Sequence, residues 1–473
     1  MKGLMASKQN ERMRFILTDW FTANISVLVF NILRCFMTTG GHDSVGDVIE
    51  YISQPKLCIE QLAIPFALLV LYWLSGFYNN PLGKSRFFEL LNTALISALS
   101  TILIHLALLT NDQMSDIEAN LIQIVVIFFI FFAFTFTGRL IVIDRQIKHF
   151  KKGEWKSSTV IVGNSKKAHE LARRLNESKA NIGYDIVGFF SIPGEKDFSE
   201  TAWDLNDITD ICNDRHIDQV VISPENSSED TVLSLVYRLF PLGIPLKLSP
   251  ATLNFMTSSI RLKDIYGQPL VDLTHSSMSE GGKNVKRTLD VIASAITLIV
   301  LSPLYIALAV WVKLDSDGPA FYRQERIGRH QKPFDIIKFR TMHTDAEAAG
   351  PQLSDDNDPR VTRSGRIMRK YRLDELPQFW NVLKGDMSIV GPRPEREFFI
   401  RKIMKKAPYY TLLYQTRPGI TSWGMVKYGY ASHVDEMIER SKYDLLYISN
   451  MSILMDLKIM LYTVLTILEG RGK

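Results

Sequence analysis

ANLIQIVVIFFIFFAFTFTG, residues 119–138, runs for 20 positions without a charged side chain. At about 1.5 Å of rise per residue, that is the length a helix needs to cross the hydrocarbon core of a bilayer. A soluble helix of this length would carry a polar face, and this one has none. Three further apolar stretches precede it, at residues 15–36, 61–78 and 90–110, and the last two also lack Asp, Glu, Lys and Arg. A long first stretch followed by three more argues against a cleaved signal peptide. The expectation is a four-helix transmembrane bundle over residues 1–150.

The loops orient that bundle. Lys2, Lys8, Arg12 and Arg14 precede the first stretch, Lys84 and Arg86 follow the second, and Arg139, Arg145, Lys148, Lys151 and Lys152 follow the fourth. The other two loops are acidic, with Asp43, Asp47 and Glu50 in one and Asp112, Asp116 and Glu118 in the other. Basic loops stay in the cytoplasm, so both ends of the bundle are expected there. His105 is the ionisable group this reading places deep in a span. A proton path is one explanation and helix packing the more ordinary one.

Charge is unevenly spread. Of 55 Lys+Arg and 50 Asp+Glu, residues 282–473 hold 30 and 21, leaving 25 and 29 in the remainder. A balance of +9 at one end and −4 elsewhere points to an anionic partner for the last part of the chain, with phosphates, nucleic acid and lipid headgroups as candidates. The three cysteines, Cys35, Cys58 and Cys212, form neither a disulfide framework nor a zinc cluster.

Residues 151–275 alternate strand and helix patterns, which implies a parallel, Rossmann-like α/β domain on the cytoplasmic side. Strands are predicted at 159–162, 184–190, 219–223 and 245–248, and helices at 166–177, 205–215 and 229–240. The first strand-to-helix turn, Gly163-Asn164-Ser165-Lys166-Lys167-Ala168, has a serine where a dinucleotide fingerprint needs its second glycine. Asp185, a candidate ribose contact, falls inside the next strand. The domain reads as regulatory or oligomerising with an eroded site, nucleotide binding being the alternative. The absence of a Tyr-x-x-x-Lys pair counts against a nucleotide-sugar dehydratase or epimerase.

Val291–Val312 is a fifth charge-free stretch, broken at its centre by Ser302-Pro303 and basic on both flanks. Proline kinks a helix, and serine can take up a freed carbonyl. A re-entrant helix over 288–313 is expected, entering and leaving the same leaflet. A kinked full span is the alternative, which would violate the charge rule at its exit.

Downstream, Lys338 and Arg340 lie on one face of a predicted strand, 334–342, paired in a hairpin with 320–327. The run from Asp358 to Arg372 has arginines at every third residue, as a basic helix suited to anionic headgroups and phosphates would. Asp374 and Glu375 follow directly. Asp374 could simply cap a helix, with Glu375 in its first turn. As a functional pair, one carboxylate would attack phosphorus while its neighbour held a divalent cation. Arg393 between two prolines and Arg417 before one present rigid guanidinium groups. Asp456 is a lone acid in an apolar helix, where an acid pairs with a base or a ligand.

These segments together, Lys338-Phe339-Arg340-Thr341-Met342, Leu373-Asp374-Glu375-Leu376-Pro377-Gln378, Asn381 to Ser388, Gly391-Pro392-Arg393-Pro394 and Arg417-Pro418-Gly419-Ile420-Thr421, resemble the bacterial sugar transferase family. Its members are polyprenyl-phosphate hexose-1-phosphate transferases. The resemblance covers about residues 283–473. The four spans and the Rossmann-like domain resemble its long-form members, the undecaprenyl-phosphate glucose or galactose phosphotransferases. The resemblance implies an α/β monotopic catalytic domain over 280–473, with Ser302-Pro303 as the break of its re-entrant helix. It implies that Asp374 attacks a UDP-sugar, releases UMP and passes hexose 1-phosphate to undecaprenyl phosphate, with Glu375 holding Mg²⁺ or Mn²⁺. Lys338, Arg340, Arg393, Arg417 and Asp456 would lie at the substrate phosphates. Its partners would be the donor, the lipid acceptor and the membrane, not nucleic acid. The sequence leaves open the sugar, the pathway among exopolysaccharide, capsule and O-antigen synthesis, and a homo-oligomeric state. One departure stands out: Thr421-Ser422-Trp423-Gly424-Met425-Val426 lacks the glutamine that members often carry in this segment. Two other readings remain: a membrane-bound nucleotide-sugar-modifying enzyme and a non-catalytic regulator of polysaccharide assembly.

Overall fold

The computed structural model describes residues 4–39, 45–82, 84–109, 117–177, 184–199, 201–225, 229–249, 271–272, 277–348, 350, 352, 358–429 and 431–468. The chain divides into two compact units. One holds residues 1–157 with segments 176–185 and 280–284, and the other holds the remainder.

The first unit is helical: α1 (Leu4–Thr39), α2 (Val45–Ile52), α3 (Pro55–Leu74), α4 (Arg86–Leu109) and α5 (Ile117–Lys151). All but α2 are long and apolar enough to cross a membrane. Phe15, Val27, Leu68, Tyr72, Ile127 and Phe131 interlock at their centre. Gly138 lets α5 press on α1, since a Cβ there would stand 2.7 Å from Thr22 Cγ2. The sequence reading put only His105 inside a span, and His105 is indeed buried. The structure adds Asp19, which apolar neighbours in α1 conceal in the sequence. Asp19 and Arg139 are both wholly buried. Arg139 donates to both Asp19 oxygens at 2.9 and 2.8 Å and to Glu89 Oε1 at 2.8 Å. Its guanidinium also covers the rings of Tyr72 and Phe77. One cation thus joins α1, α4 and α5, with each charge paired as burial demands.

In the second unit, β1 (Ser157–Val162), α6 (Lys166–Glu177), β2 (Tyr184–Ser191), β3 (Trp203–Asp204), α7 (Ile208–Asp214), β4 (Gln219–Ile222), α8 (Glu229–Leu239), β5 (Leu246–Leu248) and β6 (Val271–Asp272) build a six-stranded sheet of order β3-β2-β1-β4-β5-β6. The pairings β2–β3, β1–β4 and β4–β5 are parallel, and β6 joins the edge antiparallel. The β-branched strands Val160–Val162 and Val220–Ile222 are buried, as a sheet covered on both faces requires. At the first turn, Ser165 Oγ caps α6 by accepting from the Ala168 amide. The Asn164 side chain donates to Asp197 Oδ1 and to the Ser199 carbonyl. The Asn164 carbonyl accepts from the Phe198 amide at 2.8 Å. The chain's own 193–199 loop therefore occupies polar groups of the turn. Gly163 is required by the fold itself: its φ is +128°, and a Cβ would stand 2.1 Å from the Ser223 carbonyl oxygen.

The rest of the chain comprises α9 (Glu280–Val300), whose residues 280–284 belong to the first unit, and then α10 (Ser302–Asp315), β7 (Phe321–Ile327), β8 (Pro333–Phe339), α11 (Arg363–Lys370), α12 (Gln378–Lys384), β9 (Ser388–Val390), α13 (Glu397–Lys406), β10 (Gly419–Thr421), α14 (Trp423–Lys427), α15 (Val434–Ser449) and α16 (Ile453–Leu468). The axes of α9 and α10 meet at 64° across Leu301. Ser302 Oγ donates to the Ile299 carbonyl at 2.8 Å, and Pro303 sits in the first turn of α10, where its missing N–H costs nothing. β7 and β8 form the expected hairpin, Tyr322 opposite Lys338. Leu308 and Val312 of α10 pack with Phe339 and Met368 beneath Leu373 and Leu376. Burying each such aliphatic side chain contributes about 1.5–3 kcal/mol. The second half of the broken helix is therefore the floor on which the acidic turn rests.

Candidate active site

The acidic pair lies in a 3-10 turn, Leu373–Glu375, one element before α12. The capping expectation fails here: Asp374 makes no cap, and Pro377 holds the N-cap position of α12. Arg372 directs the turn. Its φ of 53° places a non-glycine residue in the left-handed region, at a cost of roughly 1–2 kcal/mol. Tyr305 on α10 fixes the far side by donating to the Leu376 carbonyl at 2.6 Å. Asn381 bolts α12 to β8, donating to the Asp335 carbonyl and accepting from the Ile337 amide.

Asp374 and Glu375 are 7% and 5% exposed. They line a cavity of about 350 Å³ together with Lys338, Arg369, Arg393 and Tyr322. Lys338 Nζ stands 2.9 Å from Glu375 Oε1 and 3.9 Å from Asp374 Oδ2. Arg393 Nη2 reaches the same Glu375 oxygen at 3.3 Å. The two acids diverge in this setting. Burial opposes the charge of Glu375, but Lys338, Arg393 and Arg372 outweigh it and hold that carboxyl well below the usual carboxylate range. For Asp374, burial prevails over the pull of Lys338, and the neighbouring Glu375 charge adds to it, so its carboxyl is pushed up. Paired groups driven apart in this way divide chemical roles between them.

The remaining predicted site residues fall in different places. Arg340 reaches the cavity wall, but its guanidinium donates to the carbonyls of Ser316 and Asp317, both at 2.7 Å, which makes it a clamp on the end of α10. Gly318 leaves room for it, since a Cβ there would stand 2.0 Å from Arg340 Nη1. Arg417 is not brought to this cavity. Its Nε donates to the Gly385 carbonyl at 2.9 Å, and Arg287 donates to Val382 and Leu383, so both cations serve the negative end of α12. Nor is Asp456, which pairs with Lys286 at 2.7 Å and accepts from Tyr447 Oη at 2.6 Å. The polar partner expected for that buried acid is thus a lysine of the same chain. Arg369 and Tyr322 were not singled out in the sequence. Arg369 was hidden among equivalent arginines, and only the hairpin register brings Tyr322 beside Lys338.

Among the described residues no group of three His, Cys, Asp or Glu side chains is placed to hold a metal ion. Magnesium needs no such cage. It binds through one or two carboxylates with substrate phosphates and water completing its shell. The adjacent acids, one of them held strongly anionic, fit a cation that arrives with a diphosphate.

Residues 282–470 match the bacterial sugar transferase family, and residues 74–250 match a CoA-binding domain family. Over 188 residues the chain is 44% identical to the UDP-N-acetylgalactosamine-undecaprenyl-phosphate N-acetylgalactosaminephosphotransferase of Aeromonas hydrophila, covering 40% of this chain and 44% of that protein. It is 33% identical over 286 residues to the UDP-glucose:undecaprenyl-phosphate glucose-1-phosphate transferase of Escherichia coli K12, covering 60% and 62%. These two matches thus span less than two thirds of the relatives' own lengths. A third, the undecaprenyl-phosphate galactose phosphotransferase of Salmonella typhimurium, is 31% identical over 380 residues, covering 72% of this chain and 75% of that protein. With residues 282–470 matching the family and three quarters of a relative's length covered at 31% identity, the chain belongs to the bacterial sugar transferase family.

Proposed function

We propose that the protein transfers a hexose 1-phosphate from a UDP-sugar to undecaprenyl phosphate, releasing UMP, as the first membrane step of exopolysaccharide, capsule or O-antigen synthesis. The observation that carries this reading is the buried Asp374–Glu375 pair with Lys338, Arg369 and Arg393 in one cavity. Two carboxylates alone would repel a diphosphate, and three cations beside them turn the cavity into a site for one.

Asp374 is the nucleophile, because its raised carboxyl makes its oxygen the more basic of the two. An Asp374 oxygen bonds to the sugar-proximal phosphorus, and the bond from that phosphorus to the bridging oxygen breaks. UMP leaves with the bridging oxygen and its electron pair. A phosphate oxygen of undecaprenyl phosphate then bonds to the same phosphorus, and the bond to Asp374 breaks, restoring its carboxylate. Lys338 and Arg393 orient the phosphates and offset their charge. A Mg²⁺ or Mn²⁺ ion bound with the donor would be held by Glu375 and would supply further charge neutralisation at the diphosphate. The bend at Ser302-Pro303 supports a re-entrant helix, which keeps the basic catalytic part on the cytoplasmic face of the inner membrane beside an anionic leaflet. The names of these three relatives support the acceptor, two of them support a UDP-sugar donor, and they differ in sugar.

Membranes containing the protein, given UDP-hexoses, Mg²⁺ and undecaprenyl phosphate, are expected to release UMP. Asp374→Asn is expected to lose roughly a thousandfold or more in that rate, the scale on which removing a covalent nucleophile acts. A variant with wild-type activity would remove Asp374 as the nucleophile.

A further inference from the structure

The segment Ser422–Met425 joins Arg393 from behind. Arg393 Nη1 donates to the Met425 sulfur at 3.0 Å, while its Nη2 faces Glu375 at 3.3 Å. Met425 is 3% exposed and does not line the cavity, so it acts from the layer beneath. The backbone of Arg393 is held by the same structure. Asp444 on α15 accepts from the Gly424 amide at 2.8 Å and from the Arg393 amide at 3.4 Å. Ser422 Oγ accepts from the Met425 amide at 3.0 Å, closing the turn. Gly424 permits this packing, because a Cβ there would stand 2.7 Å from both the Arg440 carbonyl oxygen and Arg440 Cγ. Three elements therefore converge on one arginine, and the side chain this segment presents to its guanidinium is a thioether.

A thioether is a weak acceptor, and it is polarisable and apolar enough to pack. An amide oxygen in its place would bind the guanidinium with the strength of an ordinary charge-assisted hydrogen bond. We propose that Met425 is a positioning residue that sets how firmly Arg393 is held and thereby how readily this arginine engages the donor's phosphates. The soft contact steadies the guanidinium without competing for it. The inference rests on the proposed donor and deepens it by naming a determinant of diphosphate affinity outside the cavity.

The test uses the full-length protein in lipid nanodiscs, with UDP as the binding probe and UMP release as the kinetic readout. Met425→Gln, of nearly the same size, is expected to weaken UDP binding about tenfold or more, the scale of one charge-assisted hydrogen bond. The donor KM should rise by a similar factor while kcat stays within about twofold. Met425→Leu removes the acceptor but keeps the packing, and is expected to bind UDP within about twofold of wild type. Arg393→Lys should abolish the difference between Met and Gln at 425. Unchanged UDP binding in Met425→Gln overturns the inference, as does a Met425→Leu protein that binds UDP about fivefold more weakly or worse. The latter outcome decides the matter even if Met425→Gln does not fold. Wild type that binds no UDP removes the proposed donor and this inference together. Wild type that binds UDP with no effect of Met425→Gln removes the inference alone.

Discussion

Asp444 joins the Arg393 turn to α14 and α15, and it does so at an electrostatic cost. Burial pushes its carboxyl up to about 6, against the hydrogen bond from Gly424 and the nearby charge of Arg440. A folded-state pKa above the unfolded value of about 3.9 means that the folded protein binds more protons than the unfolded one between the two values. Stability from this group is complete below pH ~4 and is lost as pH rises through ~6, amounting to about 3 kcal/mol. Asp444→Asn keeps an acceptor and cannot ionise. The stability of the variant relative to wild type is therefore expected to shift in its favour as pH rises from about 4 to about 7, read as thermal midpoints of the detergent-solubilised chain. A difference that does not change with pH would remove the assignment. Asp374 and Glu375 stood out in the sequence by their adjacency and their arginine neighbours, and the structure brings both to one cavity. Asp444 did not stand out, because a single acid in a charged helix has no distinguishing pattern, and its partners are backbone amides 20 and 51 residues away in sequence.

Among the elements, α1, α4 and α5 depend on Arg139. With the guanidinium removed, Asp19 and Glu89 remain buried without their cation, and breaking a buried pair in this way costs about 3–5 kcal/mol. Arg139→Met is expected to lower the thermal midpoint of the first unit sharply and to reduce the yield of folded protein. The triple variant Arg139→Met, Asp19→Leu, Glu89→Leu should recover much of that loss, because no charge is then left unpaired. A single variant as stable as wild type would show that the network contributes little. The helices themselves follow from apolar length. The charged pair did not, because Asp19 reads as an exception within an apolar run until α5 brings Arg139 against it.

For the whole molecule, the decisive matter is whether α9 and α10 cross the bilayer. The helices are bent by 64°, and the serine and proline at the break satisfy the local backbone. Lys152 precedes this segment in sequence and Lys313 sits in its last turn, and both are exposed. With the native exposed Cys58 replaced by serine, Lys152→Cys and Lys313→Cys are expected to react with an impermeant maleimide from the same side of sealed membrane vesicles. Labelling from opposite sides would make the broken helix a full span and place the basic catalytic part across the membrane from the proposed nucleotide donor.

The sequence by itself determined the apolar spans, the alternation of strand and helix, the break at Ser302-Pro303, and the acid pair with its family motifs, because each is written in adjacent or regularly spaced residues. Tertiary structure alone decided how the cations are used. Lys338, Arg340, Arg393 and Arg417 look equivalent as motif residues, yet Arg340 and Arg417 serve carbonyls at helix ends while Lys338 and Arg393 face Glu375. A guanidinium binds a carbonyl, a carboxylate or a phosphate with the same donors. Which of these it meets depends on what the fold places within about 3 Å of it, and no local pattern in the chain encodes that distance.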